Sequence, residues 1–361
     1  MKKLLILGLA ILILGPALFA DDAMVMPGKV GRFYVAPTYS FAMGGYDSDG
    51  TYEAFDDGSI KVFNLGFALE YGIVNWITAA IQWAPGWTAW SDIKAATGIK
   101  NTNINGFADI FAGAKFQIVG AKAPIKAEAV RFALAPGVKI PLPGPDFEKE
   151  LQKALAGEKA TLNSMDNHVF AAGGRAFFDF VINKNFFINL YNETIFYPFA
   201  QDLNKDGPMF YGIKAGMAQN PDIQAALGAG TPLIMDIKGE VDYKYVTTFE
   251  LEGVFSYPIS KGIDFTAGLP LTYSFSPASE YSFDYPAAIA AAGPMLTPVL
   301  NDMLAAEASH ILKVTPNIGF FFKTLPLPME AKFQYGIPVW GKSTTASHNA
   351  TFQLRAYFML P

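Results

Sequence analysis

The sequence predicts an all-β fold, an antiparallel up-and-down transmembrane β-barrel of about twelve strands with short helices in its extracellular loops. Three observations predict it. Across residues 30–361, segments of ten to fifteen residues alternate large apolar with small or polar side chains. Those segments are closed alternately by a short turn and a long loop. Beyond the first twenty residues no run of about 18 apolar residues occurs, although 51% of the chain is hydrophobic and Phe fills 31 positions. Hydrophobicity spread in this way suits neither a soluble surface nor membrane helices, and a closed barrel is the remaining arrangement that pairs every backbone group in lipid.

The chain begins Met1-Lys2-Lys3, continues apolar through residues 4–14 and reaches small residues at Gly15, Ala17 and Ala20. A positive head, an apolar stretch and a small-residue cut site read as a signal peptide over 1–20, leaving one barrel domain over 21–361 and a bacterial outer-membrane location. Residues 21–29 are too few for a separate folded plug. The chain contains no Cys, which excludes disulfides, thiol catalysis and thiolate metal sites. A net charge of −5 without a basic stretch excludes nucleic acid as a partner.

Strands are expected at 30–43, 59–72, 76–90, 105–119, 126–142, 166–182, 185–200, 239–258, 262–277, 308–323, 328–342 and 347–360, with fourteen as the alternative count. In the second, Phe63, Leu65, Phe67, Leu69 and Tyr71 share one face, and Asn64, Gly66, Ala68 and Glu70 the other. In the fifth, Val130, Phe132, Leu134, Val138 and Ile140 oppose Ala129, Arg131, Ala133, Gly137 and Lys139. The large face suits lipid and the small face a wet, crowded lumen. Counting upward from the N-terminus, the turns at 73–75, 183–184, 260–261 and 326–328 fall on the periplasmic side. The long connections 44–58, 91–104, 143–165, 201–238 and 278–307 form the extracellular rim. Aromatic pairs near the short turns, such as Tyr71 with Trp76, and Trp83, Trp87 and Trp90 at the other end mark two girdles. His168, His310 and His348 all begin downward strands.

The inward register collects charge. Glu70, Lys115, Arg131, Arg175, Asp179, Glu193, Glu250, Glu252, Lys332 and Arg355 form the candidate network, with Asp109, Glu240, Asp242, Lys244, Lys313, Glu330, Gln334 and Gln353 on the same face. Interleaved signs fit an ion-pair network bracing the wall, or a polar constriction on a substrate path. The long connections are apolar where exposed loops are ordinarily polar. Phe147, Leu151, Ala154 and Leu155 have helical spacing, and residues 209–237 and 285–311 are rich in Ala, Met and Leu. Such loops pack on one another as a lid, offer a surface to an apolar ligand, or meet a partner protein.

Signal peptide, mid-sized barrel and apolar helical loops together resemble the outer-membrane transporters for hydrophobic compounds, the fatty-acid and phenol-pathway uptake channels. The resemblance implies passage of small hydrophobic molecules, contact with membrane lipids, insertion by the barrel-assembly machinery and no cofactor. Two features depart from it: no N-terminal plug can be built from 21–29, and the chain ends on Pro361, with Phe358 standing in for a terminal aromatic. The alternative function is a surface-exposed structural or adhesin-type barrel with an occluded lumen.

No catalytic residue is expected. Ser309 and Ser347 adjoin His310 and His348, but neighbours on a strand point to opposite faces and cannot share a base–nucleophile hydrogen bond. Asp202, Asn204 and Asp206 open like a calcium loop, yet Ile213 stands at the twelfth position, where a bidentate Glu belongs.

Overall fold

A computed structural model describes residues 22–55, 58–91, 102–106, 109–142, 149, 160–161, 169–203, 210, 213–214, 217–218, 234–304 and 307–360. In chain order the strands are β1 (Val30–Tyr46), β2 (Tyr52–Ala54), β3 (Ile60–Val74), β4 (Ile77–Ser91), β5 (Thr102–Gly106), β6 (Ile110–Val119) and β7 (Val130–Ile140). They continue as β8 (Ala160–Thr161), β9 (Ala171–Asn183), β10 (Phe186–Phe196), β11 (Gln201–Asp202), β12 (Lys238–Asp242) and β13 (Tyr245–Ser260). The last are β14 (Ile263–Ser276), β15 (Glu280–Asp284), β16 (Ser309–Val314), β17 (Asn317–Phe322), β18 (Met329–Lys342) and β19 (Thr344–Met359).

Twelve antiparallel staves close the barrel in the order β1, β3, β4, β6, β7, β9, β10, β13, β14, β16 with β17, β18 and β19. The ring shuts where β19 pairs back on β1, from Val30 opposite Met359 to Tyr46 opposite Thr344. Closure leaves the wall without a free edge, the condition for a sheet in lipid. The short-turn end is built by local chemistry: Asn185 N–H donates to Asn183 Oδ1 (2.8 Å) and Gly262 N–H to Ser260 Oγ (3.3 Å).

The face assignment follows the period of two. On β3 the even positions from Ile60 to Glu70 point inward, while Phe63 and Leu69 stand on the outer face. On β7 Ala133 and Lys139 are buried inside, and Leu134 and Ile140 are exposed outside. The outer face carries Ile81, Trp83, Phe180, Leu190, Phe249, Leu251, Phe333 and Phe352, a wall for lipid to cover. Because the chain has no Cys, a nitroxide label reads this directly. Labels at Phe67→Cys and Phe132→Cys are expected to collide with oxygen dissolved in lipid, and one at Arg131→Cys with a water-soluble nickel chelate. The reverse pattern would mean a register slipped by one residue.

Three predicted strands are cut. The stretch 239–258 divides at Tyr243-Lys244, where Lys244 takes a left-handed backbone (φ 59°). Its first part, β12, leaves the wall and pairs with β11 and β15 in a separate three-stranded sheet above the barrel. The stretch 308–323 breaks at Thr315-Pro316, since proline has no N–H for the ladder. The stretch 105–119 gives β6 and a short β5 that continues the pairing of β4.

The three-stranded sheet and the helix Gly293–Met303 form a cap at the long-loop end. Its core joins Leu203, Phe210, Ile213, Met217, Ile234, Ile237, Val241, Leu296 and Leu300. Lys214 is buried there, its ammonium donating to the carbonyls of Met235 and Ile237 at 2.9 Å each and lying 4.7 Å from the Phe210 ring. The apolar residues of 209–237 and 285–311 that are described in this core therefore pack on one another. The predicted helix around Phe147 and Leu151 lies outside the described residues, as does His168.

Candidate functional site

The lumen has two levels. Near the long-loop end its wall carries an apolar patch: Ile60, Val62 and Ile311 point inward, and Phe111, Val169, Ala171, Ile195 and Tyr197 form one packed cluster, with Lys139 buried opposite Phe111 and Ala171 and Asp109 buried at the same end. Tyr243 packs on this cluster and on the cap core alike, its ring 5.7 Å from that of Tyr197. An apolar strip thus runs from the cap into the barrel on this side of the lumen. The alternation identifies these positions as inward, but a preference for small and polar lumen residues would not have marked them apolar.

Charge fills the lower level. Arg32 Nε donates to Glu70 Oε2 (2.8 Å), and Tyr34 OH lies 3.4 Å from Glu70 Oε1. Arg355 and Tyr357 both donate to Glu330 Oε2, at 3.2 and 3.1 Å. Arg131 pairs with Asp179 at 3.3 Å, and Asn189 Nδ2 donates to the other Asp179 oxygen at 2.7 Å. Nearer the long-loop end of β9 and β10, Arg175 pairs with Glu193, donates to Gln82 (3.3 Å) and stacks over Phe111 at 4.5 Å. Tyr191 OH donates to the same Glu193 oxygen at 3.1 Å. Thr272 donates to Glu250 (2.8 Å), and Asn317 to Glu252 (2.9 Å). Lys332 faces inward on β18 between Gly319 and Gln353. Each acid here gains a charged or neutral donor, which offsets its desolvation in a crowded bore.

Residues 22–28 lie inside this level. From the turn at Gly28-Lys29, where Lys29 N–H donates to Gly72 O (2.7 Å), the chain doubles back into the lumen. Met26 N–H donates to Thr78 Oγ1 at 2.8 Å, the ammonium of Lys115 to Asp22 O, and Ala23 N–H to both Asp179 oxygens at 3.1 and 3.2 Å. Ala23 is fully buried, packed with Ala133, Phe177 and Tyr191. The segment therefore crosses from the first stave to the sixth as an extended strap. So short a segment makes no folded plug, yet main-chain hydrogen bonds and the packing of Ala23 seat residues 22–28 across the bore. Between strap and wall remains a cavity of about 40 Å³, bordered by Met24, Met26, Tyr34, Phe111, Lys115 and Arg175. That is space for about three waters, against roughly 300 Å³ or more for a drug-sized ligand.

Other sequence-derived candidates fall elsewhere. Glu240 and Asp242 belong to β12 in the cap sheet, not to the lumen, and Lys244 pairs with Glu280 at that outer level. Asp202 pairs across β11 and β12 with Glu240, while Asn204 and Asp206 lie outside the described residues. No group of three potential metal ligands occurs among the described residues. His310 and His348 face outward against Tyr273 (2.7 Å) and Tyr335 (3.3 Å).

No protein-family model matches the chain, and no curated protein does. Among solved structures, an outer membrane channel from Pseudomonas putida F1 is similar in fold. It aligns over 94% of this chain and 99% of its own, with a TM-score of 0.57 at 10% identity. The NanC porin covers 91% of this chain and 100% of its own (TM-score 0.39, 9% identity). A deletion mutant of TodX, described as a monoaromatic hydrocarbon channel, covers 93% and 91% (TM-score 0.38, 7% identity). At such identities the likeness speaks for the barrel fold alone.

Proposed function

We propose that this protein is an integral outer-membrane channel for small hydrophobic molecules, exported by a signal peptide removed after Ala20. The observation that carries the reading is the apolar lining that continues from the cap core through Tyr243 and Tyr197 to Phe111 and Ile195. A pore for hydrated ions gains nothing from such a lining, because ions need polar groups in place of their water. An apolar solute gains from every part of it it covers. The charge belt below serves as a polar constriction, formed by Glu70, Lys115, Arg131, Arg175, Asp179, Glu193, Glu250, Glu252, Lys332 and Arg355. The putida channel's fold is consistent with this use of a barrel.

A charge in the apolar level tests the reading. In vesicles, Ile195→Glu is expected to lower uptake of a hydrophobic probe roughly tenfold, the effect of about 1.4 kcal/mol, while potassium chloride conductance holds or rises. Equal uptake by the folded variant, or no hydrophobic uptake by the intact protein, would reject it. The narrow space beside the strap favours a second reading, a structural barrel with an occluded lumen. Vesicles that take up neither probe nor ions would establish that one.

A further inference from the structure

The geometry points to residues 22–28 as the element that sets what the barrel passes, a main-chain strap that closes the lower lumen at rest and moves aside for a solute. The inference rests on the channel reading above. Three observations carry it. First, the space beside the strap is far below the size of the solutes proposed, so a solute taking that path needs the strap or the wall to move. The wall is a continuous hydrogen-bonded ring, whereas the strap is tied by side-chain partners at Thr78, Lys115 and Asp179 and by its hinge at Lys29. The strap is the element with less to break. Second, those ties all use its main chain, and Ala23 is the side chain packed in a wall cluster, with Ala133, Phe177 and Tyr191. Met24, Val25 and Met26 border the cavity, where an apolar solute would meet them. Solute arriving from the apolar level therefore competes for the same surface that holds the strap down, which couples opening to the solute. Third, Gly72 is cleared for the strap: a Cβ there would overlap the carbonyl oxygens of Pro27 and Met26.

That last contact supplies a variant that displaces the strap without substituting a residue of the charge belt. Gly72→Val forces the segment from its seat, because the atoms it meets are backbone and cannot rotate away. Single-channel potassium chloride conductance of Gly72→Val, and of a chain lacking 22–27, is expected to rise roughly threefold or more as the bore clears. The converse variant, Ala23→Cys with Ala133→Cys, joins two small members of one packed cluster in a chain with no other Cys. Oxidised, it should abolish uptake of a hydrophobic probe with conductance at its low resting level; dithiothreitol should restore uptake to that of the unaltered protein. If the probe enters the oxidised and reduced forms alike, with the crosslink verified by mass, the strap is not the gate, whether or not the deletion folds. If Gly72→Val and the deletion raise conductance while the hydrophobic probe never enters, the strap stands and the substrate reading falls.

Discussion

Arg175→Ala is expected to be among the most destabilising single changes in the wall, and more costly than Glu193→Ala. Both side chains are buried in the lumen and paired with each other. Removing one partner of a buried pair typically costs about 3–5 kcal/mol, less where water reaches the survivor. The survivors differ here. Without Glu193, Arg175 keeps Gln82 as acceptor and the face of Phe111 beneath its guanidinium. Without Arg175, Glu193 keeps a single neutral donor, Tyr191 OH, for a full negative charge. Urea unfolding in detergent micelles should therefore rank Arg175→Ala below Glu193→Ala. The double variant Arg175→Met, Glu193→Gln should recover much of the loss, since no unpaired charge remains. Equal, small losses in both single variants would mean that the pair is solvated and braces nothing.

The barrel was legible in the sequence because a lipid-facing wall imposes one rule on every stave, and alternation such as that of Phe63 to Tyr71 repeats it often enough to fix register. Where the rule was silent, the reading missed. Alternation continues unbroken through Val241, Tyr243 and Tyr245, so nothing in the pattern marks the left-handed kink at Lys244 that sends Glu240 and Asp242 into the cap. Pro316 marks the break between β16 and β17, but the alternation on either side of it reads as one strand. The strap left no mark of its own. Its ties are backbone N–H and C=O groups, which nearly every residue carries alike, so 21–29 reads only as a segment too short for a plug. The clearest trace was indirect: Gly72 interrupts the inward face of β3 where a side chain would otherwise fit. The apolar upper lumen was missed for a similar reason, since inward Ile195 and outward Leu190 are chemically alike and register alone separates them.

In the cap, Leu300→Ala is expected to unfold the loops locally while leaving the barrel intact. Leu300 is fully buried in a core shared by the helix Gly293–Met303, β12 and the segments around Phe210 and Ile234. Truncating such a Leu costs about 2–5 kcal/mol, which multiplies the open population of a local unit roughly 30-fold to several-thousand-fold. The cap sheet β11, β12 and β15 is a separate sheet from the wall, so the cost falls on its own opening. Hydrogen exchange should accelerate at the amides of β12 and β15 and stay slow in β10 and β13. Transport then separates the two roles open to apolar loops. A lid held shut by mutual packing predicts faster uptake of a hydrophobic probe when Leu300 is truncated, because the mouth is freed. A ligand-collecting surface predicts slower uptake instead, and predicts it also for Met295→Gln with Val299→Ser, two exposed positions on the same helix whose substitution leaves the core untouched. If exchange accelerates in wall and cap together, the two fold as one unit and the cap has no independent motion for either role.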